Sequence, residues 1–325
     1  MGSYVRTQSI DHNVGERGRV SLQVTSGDVR VRGIPGGEAH IRATFEISAS
    51  SDADADRIFE AVQLRVNRAS GELSVEEHEG DVSVGSVIKS LFGAGGRYEL
   101  TVECDVPSVA EIELTAVSSD VDATGLRGDQ RYRTVSGDLS LSRAGGSVRL
   151  ESVSGDATIS ADEPLSIRSQ GVSGDLNINA STLSSLRANT VSGDVELEAQ
   201  LADGGDFQVE TVSGDLAVGL AGDATFEIRG LSTDVHSELD HRLEGQVDRR
   251  RLIVGSGGPR LVFNSMSGDV DVRRPRRMSA QPARPSASVP EATPTERQSE
   301  LDVLRALERG EIDVDEATRR LAGGR

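Results

Sequence analysis

The sequence predicts an all-β chain folded as a parallel β-solenoid (β-helix) of about 18–21-residue coils, with a small C-terminal α-helical hairpin. Three observations predict it. A five-residue phrase recurs as Val135-Ser-Gly-Asp-Leu139, Val153-Ser-Gly-Asp-Ala157, Val172-Ser-Gly-Asp-Leu176, Val191-Ser-Gly-Asp-Val195 and Val212-Ser-Gly-Asp-Leu216, with altered copies at Val117-Ser-Ser-Asp-Val121 and Leu231-Ser-Thr-Asp-Val235. Its aspartates, Asp120, Asp138, Asp156, Asp175, Asp194, Asp215 and Asp234, step by 18, 18, 19, 19, 21 and 19 residues. The flanks of the phrase alternate apolar and polar at period two, the pattern of a half-buried strand.

The columns of the repeat make each coil a strand, a Ser-Gly-Asp corner, a strand and a variable loop. Five residues before the opening Val stand Ile112, Val148, Ile167, Leu186, Phe207 and Phe226, with Gln130 as the exception. Three before it stand Leu114, Tyr132, Leu150, Ala188, Val209 and Ile228, with Ser169 breaking the run. At the corner, Gly155, Gly174, Gly193 and Gly214 can take positive φ, and Ser and Asp can bond nearby backbone groups. Coils stacked about 4.8 Å apart bring the aspartates into a column of like charge. Such a column must be solvated, satisfied by backbone N–H groups or bound to cations, and the expectation is a repeated structural turn.

The remaining elements follow in order. Residues 1–17 read as an N-terminal extension, and 18–272 as the solenoid with a non-repetitive insertion at 50–97. Val20 to Val31 fits the coil template, with Asp28 at the corner position, and His40 to Ile47 is a strand. Ser51 caps a short helix, Asp52 to Val62, whose first turn is acidic. Leu64-Arg-Val66 and Glu72-Leu-Ser-Val75 form a hairpin through Ala69-Ser-Gly71, and this insertion is placed to close one open end. Val87, Ile88, Leu91 and Phe92 share an apolar side within 82–96, expected as a lid folded onto the coil, with a membrane-dipping or partner-binding loop as the alternative. After Asp234 one coil is expected in which Asp248-Arg-Arg-Arg251 replaces the phrase, and Met266-Ser-Gly-Asp-Val270 restores it. Residues 273–298, rich in proline and arginine, read as a disordered linker. In 299–325, Leu301, Leu304, Leu307, Ile312, Val314, Ala317 and Leu321 have helical spacing around Gly310. A helical hairpin that short needs a partner surface, so its apolar face is a candidate for self-association or protein contact.

Composition narrows the function classes. Nine aromatics and no Trp suit thin coils filled by Val, Leu and Ile. Residues 273–325 carry 11 Arg against 9 acids, so of the total charge of −18 the first 272 residues hold −20. A body that acidic repels nucleic acid and none is expected as a partner. The single cysteine, Cys104, excludes an internal disulfide. With no apolar leader in the first 15 residues and no run of roughly 18 apolar residues, no transmembrane segment is expected and the expected compartment is the cytoplasm.

The phrase at this period, preceded by Tyr98-Glu-Leu-Thr-Val102 and Pro107, resembles the DUF4097 family of bacterial, adhesin-like proteins with β-strand repeats, over about residues 18–272. The resemblance implies a parallel β-solenoid and no catalytic residues to carry over. Leu304-Arg-Ala-Leu-Glu-Arg-Gly-Glu-Ile-Asp-Val-Asp-Glu-Ala317 resembles the short SHOCT-like helical module found with that family, which implies oligomerisation or partner contact.

No catalytic, cofactor or metal residue is assigned from sequence. One Asp per coil supplies too few oxygens for the six to eight that Ca²⁺ takes. His236, Glu238, Asp240 and His241 lack the spacing of a zinc site and read as a solvated loop. Arg131, Arg149, Arg168 and Arg187 share one column and would form a basic stripe about 14 Å long. Pairing with acids such as Glu151 is the expected arrangement, and an anionic-partner or glycan site the functional one. The expected function is a non-enzymatic scaffold that binds a partner. The alternative is a carbohydrate-binding or carbohydrate-active β-helix protein using the solenoid face.

Overall fold

Each repeat of the phrase becomes one coil with a strand on either side of the corner, because alternate residues of both strands are apolar and bury against each other. The computed structural model describes residues 2–77, 98–246 and 248–276. The chain divides into two units, Met1–Arg276 and Arg277–Arg325, and every element below belongs to the first. The apolar segment 82–96 and the expected hairpin at 299–325 lie outside the described residues.

The chain opens with β1 (Gly2–Asn13), β2 (Arg19–Ile34) and β3 (Glu38–Ala49), then α1 (Asp52–Val62), β4 (Arg65–Ala69), β5 (Glu72–Glu76) and β6 (Tyr98–Pro107). The regular coils follow as β7 (Glu111–Thr124), β8 (Asp129–Ser136), β9 (Leu139–Ser142), β10 (Gly146–Ser152), β11 (Ala157–Ala161), β12 (Leu165–Gly171), β13 (Leu176–Asn189), β14 (Val195–Leu201), β15 (Phe207–Glu210) and β16 (Leu216–Leu220). The last strands are β17 (Ala224–Ser232), β18 (Val235–Ser237), β19 (His241–Gln246), β20 (Arg249–Val254), β21 (Arg260–Ser267) and β22 (Val270–Arg273).

Strands before the corner stack on one face and strands after it on the other. The upstream face runs β2, β7, β8, β10, β12, second half of β13, β15, β21, β17, all parallel. The downstream face runs β6, β2, β7, β9, β11, first half of β13, β14, β16, β22, β18, again parallel. β2 and β7 pass through the corner and serve both faces, and β13 turns between faces at a register shift near Ala180. Val148, Leu150, Ile167, Leu186, Phe207 and Phe226 from the upstream face meet Leu141, Ile159, Leu176, Ile178, Leu197 and Val218 from the other, all buried. Each such side chain contributes about 1.5–3 kcal/mol of burial, which is how coils without large aromatics hold together. Gln130 breaks the apolar column but is buried, donating to the Leu126 and Gly145 carbonyls and accepting from the Tyr132 hydroxyl.

The insertion closes the N-terminal end. Ser51 caps α1, its hydroxyl accepting from the Asp54 N–H at 3.2 Å. Ala55, Ile58 and Val62 are buried, and Phe59 meets Phe45 of β3 edge to face at 5.4 Å. Residues 1–17, read from sequence as an extension, carry β1, which pairs antiparallel with β3 along its whole length. Arg6 ties β1 to Asp52 and Asp56 of α1, and Gln8 bonds both the N–H and the carbonyl of Leu64.

Two expectations at the other end are corrected. His241 to Val254 is no coil: β19 and β20 form an antiparallel hairpin, and β20 runs antiparallel to β17. The coil made by β21 and β22 does not follow the stack but enters it, lying between β15–β16 and β17–β18. The intact phrase at Met266 therefore occupies an interior level, and the altered phrase at Leu231 the outermost one.

Candidate functional site

The corner column resolves its own charge. The Asp138 N–H donates to the Asp120 carboxylate at 2.9 Å, Asp156 to Asp138 at 3.0 Å, Asp175 to Asp156 at 2.9 Å and Asp194 to Asp175 at 2.9 Å. The chain of bonds continues from Asp215 to Asp194 at 2.8 Å, from Asp269 to Asp215 at 2.7 Å and from Asp234 to Asp269 at 2.8 Å. Sequence order placed Asp234 directly after Asp215; the threaded coil inserts Asp269 between them. Every carboxylate but that of Asp234, on the outermost level, thus accepts from the next coil's backbone, a charge-assisted bond of the stronger kind. Among the described residues no group of three or more His, Cys, Asp or Glu is arranged to hold a metal ion. His236 and His241 are exposed, and His241 bonds the Leu239 carbonyl at 2.8 Å.

Glycine is required at the corner for two separable reasons. Gly155, Gly174 and Gly193 have φ of +115°, +109° and +142°. Gly214, expected to share that conformation, does not, and neither does Gly268. Yet a Cβ on Gly214 would lie 2.2 Å from the Gly193 carbonyl oxygen, and one on Gly268 2.0 Å from that of Gly214. The coils approach each other through glycine backbone, so any side chain there collides with the level below.

The residue opening each phrase turns outward. Val135, Val153, Val172 and Val191 are half-buried, and exposure rises along the stack to 45% at Val212, 57% at Met266 and 76% at Leu231. Leu231 lies level with Met266 in adjacent parallel strands. Sequence reasoning had not assigned these residues a direction, although their place one step off the buried column implied it.

The four predicted arginines do share a column. Arg131 lies opposite Arg149, Arg149 opposite Arg168, and Arg168 opposite Arg187. Their expected neutralisation by Glu151 does not occur, because Arg133 takes Glu151 at 3.1 Å and Glu113 at 3.2 Å. Arg187 pairs with Asp206 at 2.8 Å and Arg131 approaches Glu113 only to 3.9 Å. Arg149 and Arg168, in the middle, are exposed and have no acidic partner among the described residues. Ser147, Ser166 and Ser185 form a second column two residues upstream, and with Arg149, Arg168, Arg187 and Asp206 they line a shallow groove of about 320 Å³. The sequence carried that signal as a small polar residue at one repeat position, which had gone unremarked.

A larger groove, about 580 Å³, lies on the downstream face near the N-terminal end. Two close pairs lie in it, Arg32 with Asp105 at 2.5 Å and His40 with Asp11 at 2.7 Å. The hydrogen bond that the His40 ring donates to the Asp11 carboxylate raises the His40 pKa above its ordinary value. Cys104, at the floor of this groove, is buried, and burial pushes its thiol up to about 12, so it is a poor nucleophile. The candidate association residues Leu301, Leu304, Leu307, Ile312 and Leu321 lie outside the described residues.

Among solved structures, the chain is similar to a "putative lipid binding protein" from Parabacteroides distasonis, at 14% identity over 82% of this chain and 96% of that one, with a TM-score of 0.40. It is similar also to a "putative adhesin" from Bacteroides fragilis, at 12% identity over 82% and 97% of the two chains and a TM-score of 0.33. A "putative cell adhesion protein" from Clostridium sporogenes matches at 11% identity over 84% and 100%, with a TM-score of 0.25. A search of curated proteins returns no match. The profile of Toastrack DUF4097 matches residues 18–180 and again 170–273, the whole run of corner-linked coils, and the chain belongs to the Toastrack DUF4097 family.

Proposed function

We propose that this chain is a non-catalytic, adhesin-like solenoid that offers repeated ladders of side chains on its outer surface to a partner. One observation carries the reading: the described surface repeats the same residue types level after level. Where acids and bases meet, as in the groove around His40 and Asp105, they neutralise each other instead of converging on one point. The tail at 299–325 supplies a second, associating contact through Leu301, Leu304, Leu307, Ile312 and Leu321, and the compartment is the cytoplasm.

The alternative is a carbohydrate-binding or carbohydrate-active use of the solenoid face, and its catalytic half separates cleanly in one experiment. The full chain is incubated with a panel of neutral and acidic polysaccharides, and both retention and newly formed reducing ends are measured. Retention without release supports the reading. Release that tracks the purified protein and falls on Glu103→Gln or Asp122→Asn, both in the larger groove, overturns it. Light scattering of the full chain against one ending at residue 298 tests the tail; equal masses remove it as an association module.

A further inference from the structure

We infer that the arginine–serine groove of the upstream face binds an extended anionic polysaccharide, one bearing carboxylate or sulfate groups along a linear chain. The inference rests on the partner-binding reading above and names a site and a ligand class for it.

Four arginines stand in backbone register on adjacent parallel strands, about 4.8 Å apart, so the row of their Cα atoms follows the stack itself. The backbone of each arginine is fixed by hydrogen bonds on both sides, which pre-orients the row. Like charges at that spacing repel, and an anion lying along Arg149 and Arg168 would relieve that repulsion further than solvent screening alone. The acid that could have quenched them, Glu151, is held by Arg133 on the neighbouring column. A guanidinium matches a carboxylate or sulfate with two parallel N–H donors. Beside the row, the hydroxyls of Ser147, Ser166 and Ser185 repeat at the same interval and suit a ligand rich in hydroxyls.

The surroundings decide among anionic polymers. Asp129 and Glu113 stand at one end of the row and Asp206 at the other, on a body that holds −20 over residues 1–272. A flat anionic membrane would press against those acids, whereas a chain one sugar wide touches only the row. Single-stranded nucleic acid binds by stacking its bases on aromatic side chains, and the groove contains none. The same lack of aromatics leaves charge and hydroxyl hydrogen bonds as the means of recognition.

The test uses the full chain and polygalacturonate oligosaccharides as probe, with dextran oligosaccharides as the neutral control, in calorimetry or fluorescence polarisation. Binding of the acidic probe alone is expected, weakening as salt rises past 0.15 M, where charges are screened beyond about 8 Å. Arg149→Gln with Arg168→Gln should weaken it on the order of tenfold or more, while Arg30→Gln with Arg42→Gln, which removes equal charge from the other face, should leave it intact. Asp206→Asn, which frees Arg187, should strengthen it, and this arm does not depend on the double variant folding. Unchanged affinity in the Arg149/Arg168 variant, or no binding of the acidic probe at all, overturns the inference while the scaffold reading stands. Equal, Arg149-dependent binding to phosphatidylserine vesicles or to oligodeoxythymidine overturns the polysaccharide assignment. Cleavage of the probe overturns the scaffold reading instead.

Discussion

Three glycines separate the two demands that the corner makes. Gly204 has φ +75° and open space where a Cβ would go, so Gly204→Ala meets only the backbone term, about 1–2 kcal/mol. Gly214 has no positive φ, but its Cβ would lie 2.2 Å from the Gly193 carbonyl oxygen and 2.9 Å from its carbon. The oxygen belongs to a corner held in the coil stack and cannot swing away as a flexible side chain would. Gly214→Ala therefore carries an overpacking cost, about 1–3 kcal/mol and toward the upper end. Gly174 meets both conditions, with φ +109° and its Cβ 2.2 Å from the Gly155 carbonyl oxygen, so Gly174→Ala should cost about 2–5 kcal/mol if the two terms add. Because a stack of repeats does not unfold as one two-state unit, the assay is residue-resolved hydrogen exchange alongside urea denaturation. The damage should be local: faster exchange of the Asp175 and Asp194 amides, whose bonds to Asp156 and Asp175 depend on the spacing of the levels. A Gly214→Ala protein no less stable than Gly204→Ala would refute the close-approach argument. A Gly174→Ala protein no worse than Gly214→Ala would refute the need for positive φ.

Asp175→Asn keeps an oxygen to accept the Asp194 N–H and should be nearly neutral in urea denaturation, whereas Asp175→Ala leaves that N–H without its partner and should cost about 1 kcal/mol. Since the carboxylates are engaged by backbone amides, millimolar Ca²⁺ should give no saturable rise in melting temperature; a rise abolished by Asp156→Asn with Asp175→Asn would reinstate a cation site. His40, whose pKa Asp11 raises, should titrate above about 6.5 by NMR, and Asp11→Asn should bring it back down. Its stabilising contribution is complete below the unfolded value and is lost as pH rises through the folded one, so the Asp11→Asn deficit should be seen at pH 5 and vanish by pH 9. Cys104 should resist alkylation at pH 8 in the native protein and react once urea is added; rapid native labelling would contradict its buried, high-pKa state.

The solenoid was legible because its determinants are local. The corner needs Gly for its backbone and Asp for its cross-level bond, and both sit within five residues of one another. The helix at Asp52–Val62 was equally readable, since Ser51 and the first-turn acids act on the backbone next to them. What escaped were matters of choice between equivalent partners. Val270 and Leu216 present the same edge to a neighbour as Leu216 and Val195 do, so nothing in the phrase tells Met266 to enter the stack ahead of Leu231. Glu151 could bond a guanidinium on either neighbouring column, and only the register shows that Arg133 reaches it. In β1 the inward positions are Tyr4, Arg6, Gln8, Ile10 and His12, too polar to reveal a strand, because Arg6, Gln8 and His12 bond α1 and its hairpin and only Ile10 is fully in the core.

The late-arriving coil also bears on how the molecule withstands traction. Tension applied at Arg276 would draw first on β21 and β22, a level clamped from both sides, and not on an outer rung that could be peeled away along one seam. Withdrawing it must break two sets of backbone bonds at once and also strand β17, β18 and the β19–β20 hairpin beyond it. During synthesis the same arrangement delays completion: residues 224–237 cannot take their final level until 260–273 have emerged to join them to 207–220. Force-clamp extension from residue 276 should therefore show a higher first rupture than extension from residue 2, where β1 can unzip from β3 alone. The last coil in the described sequence is thus bolted in from the inside.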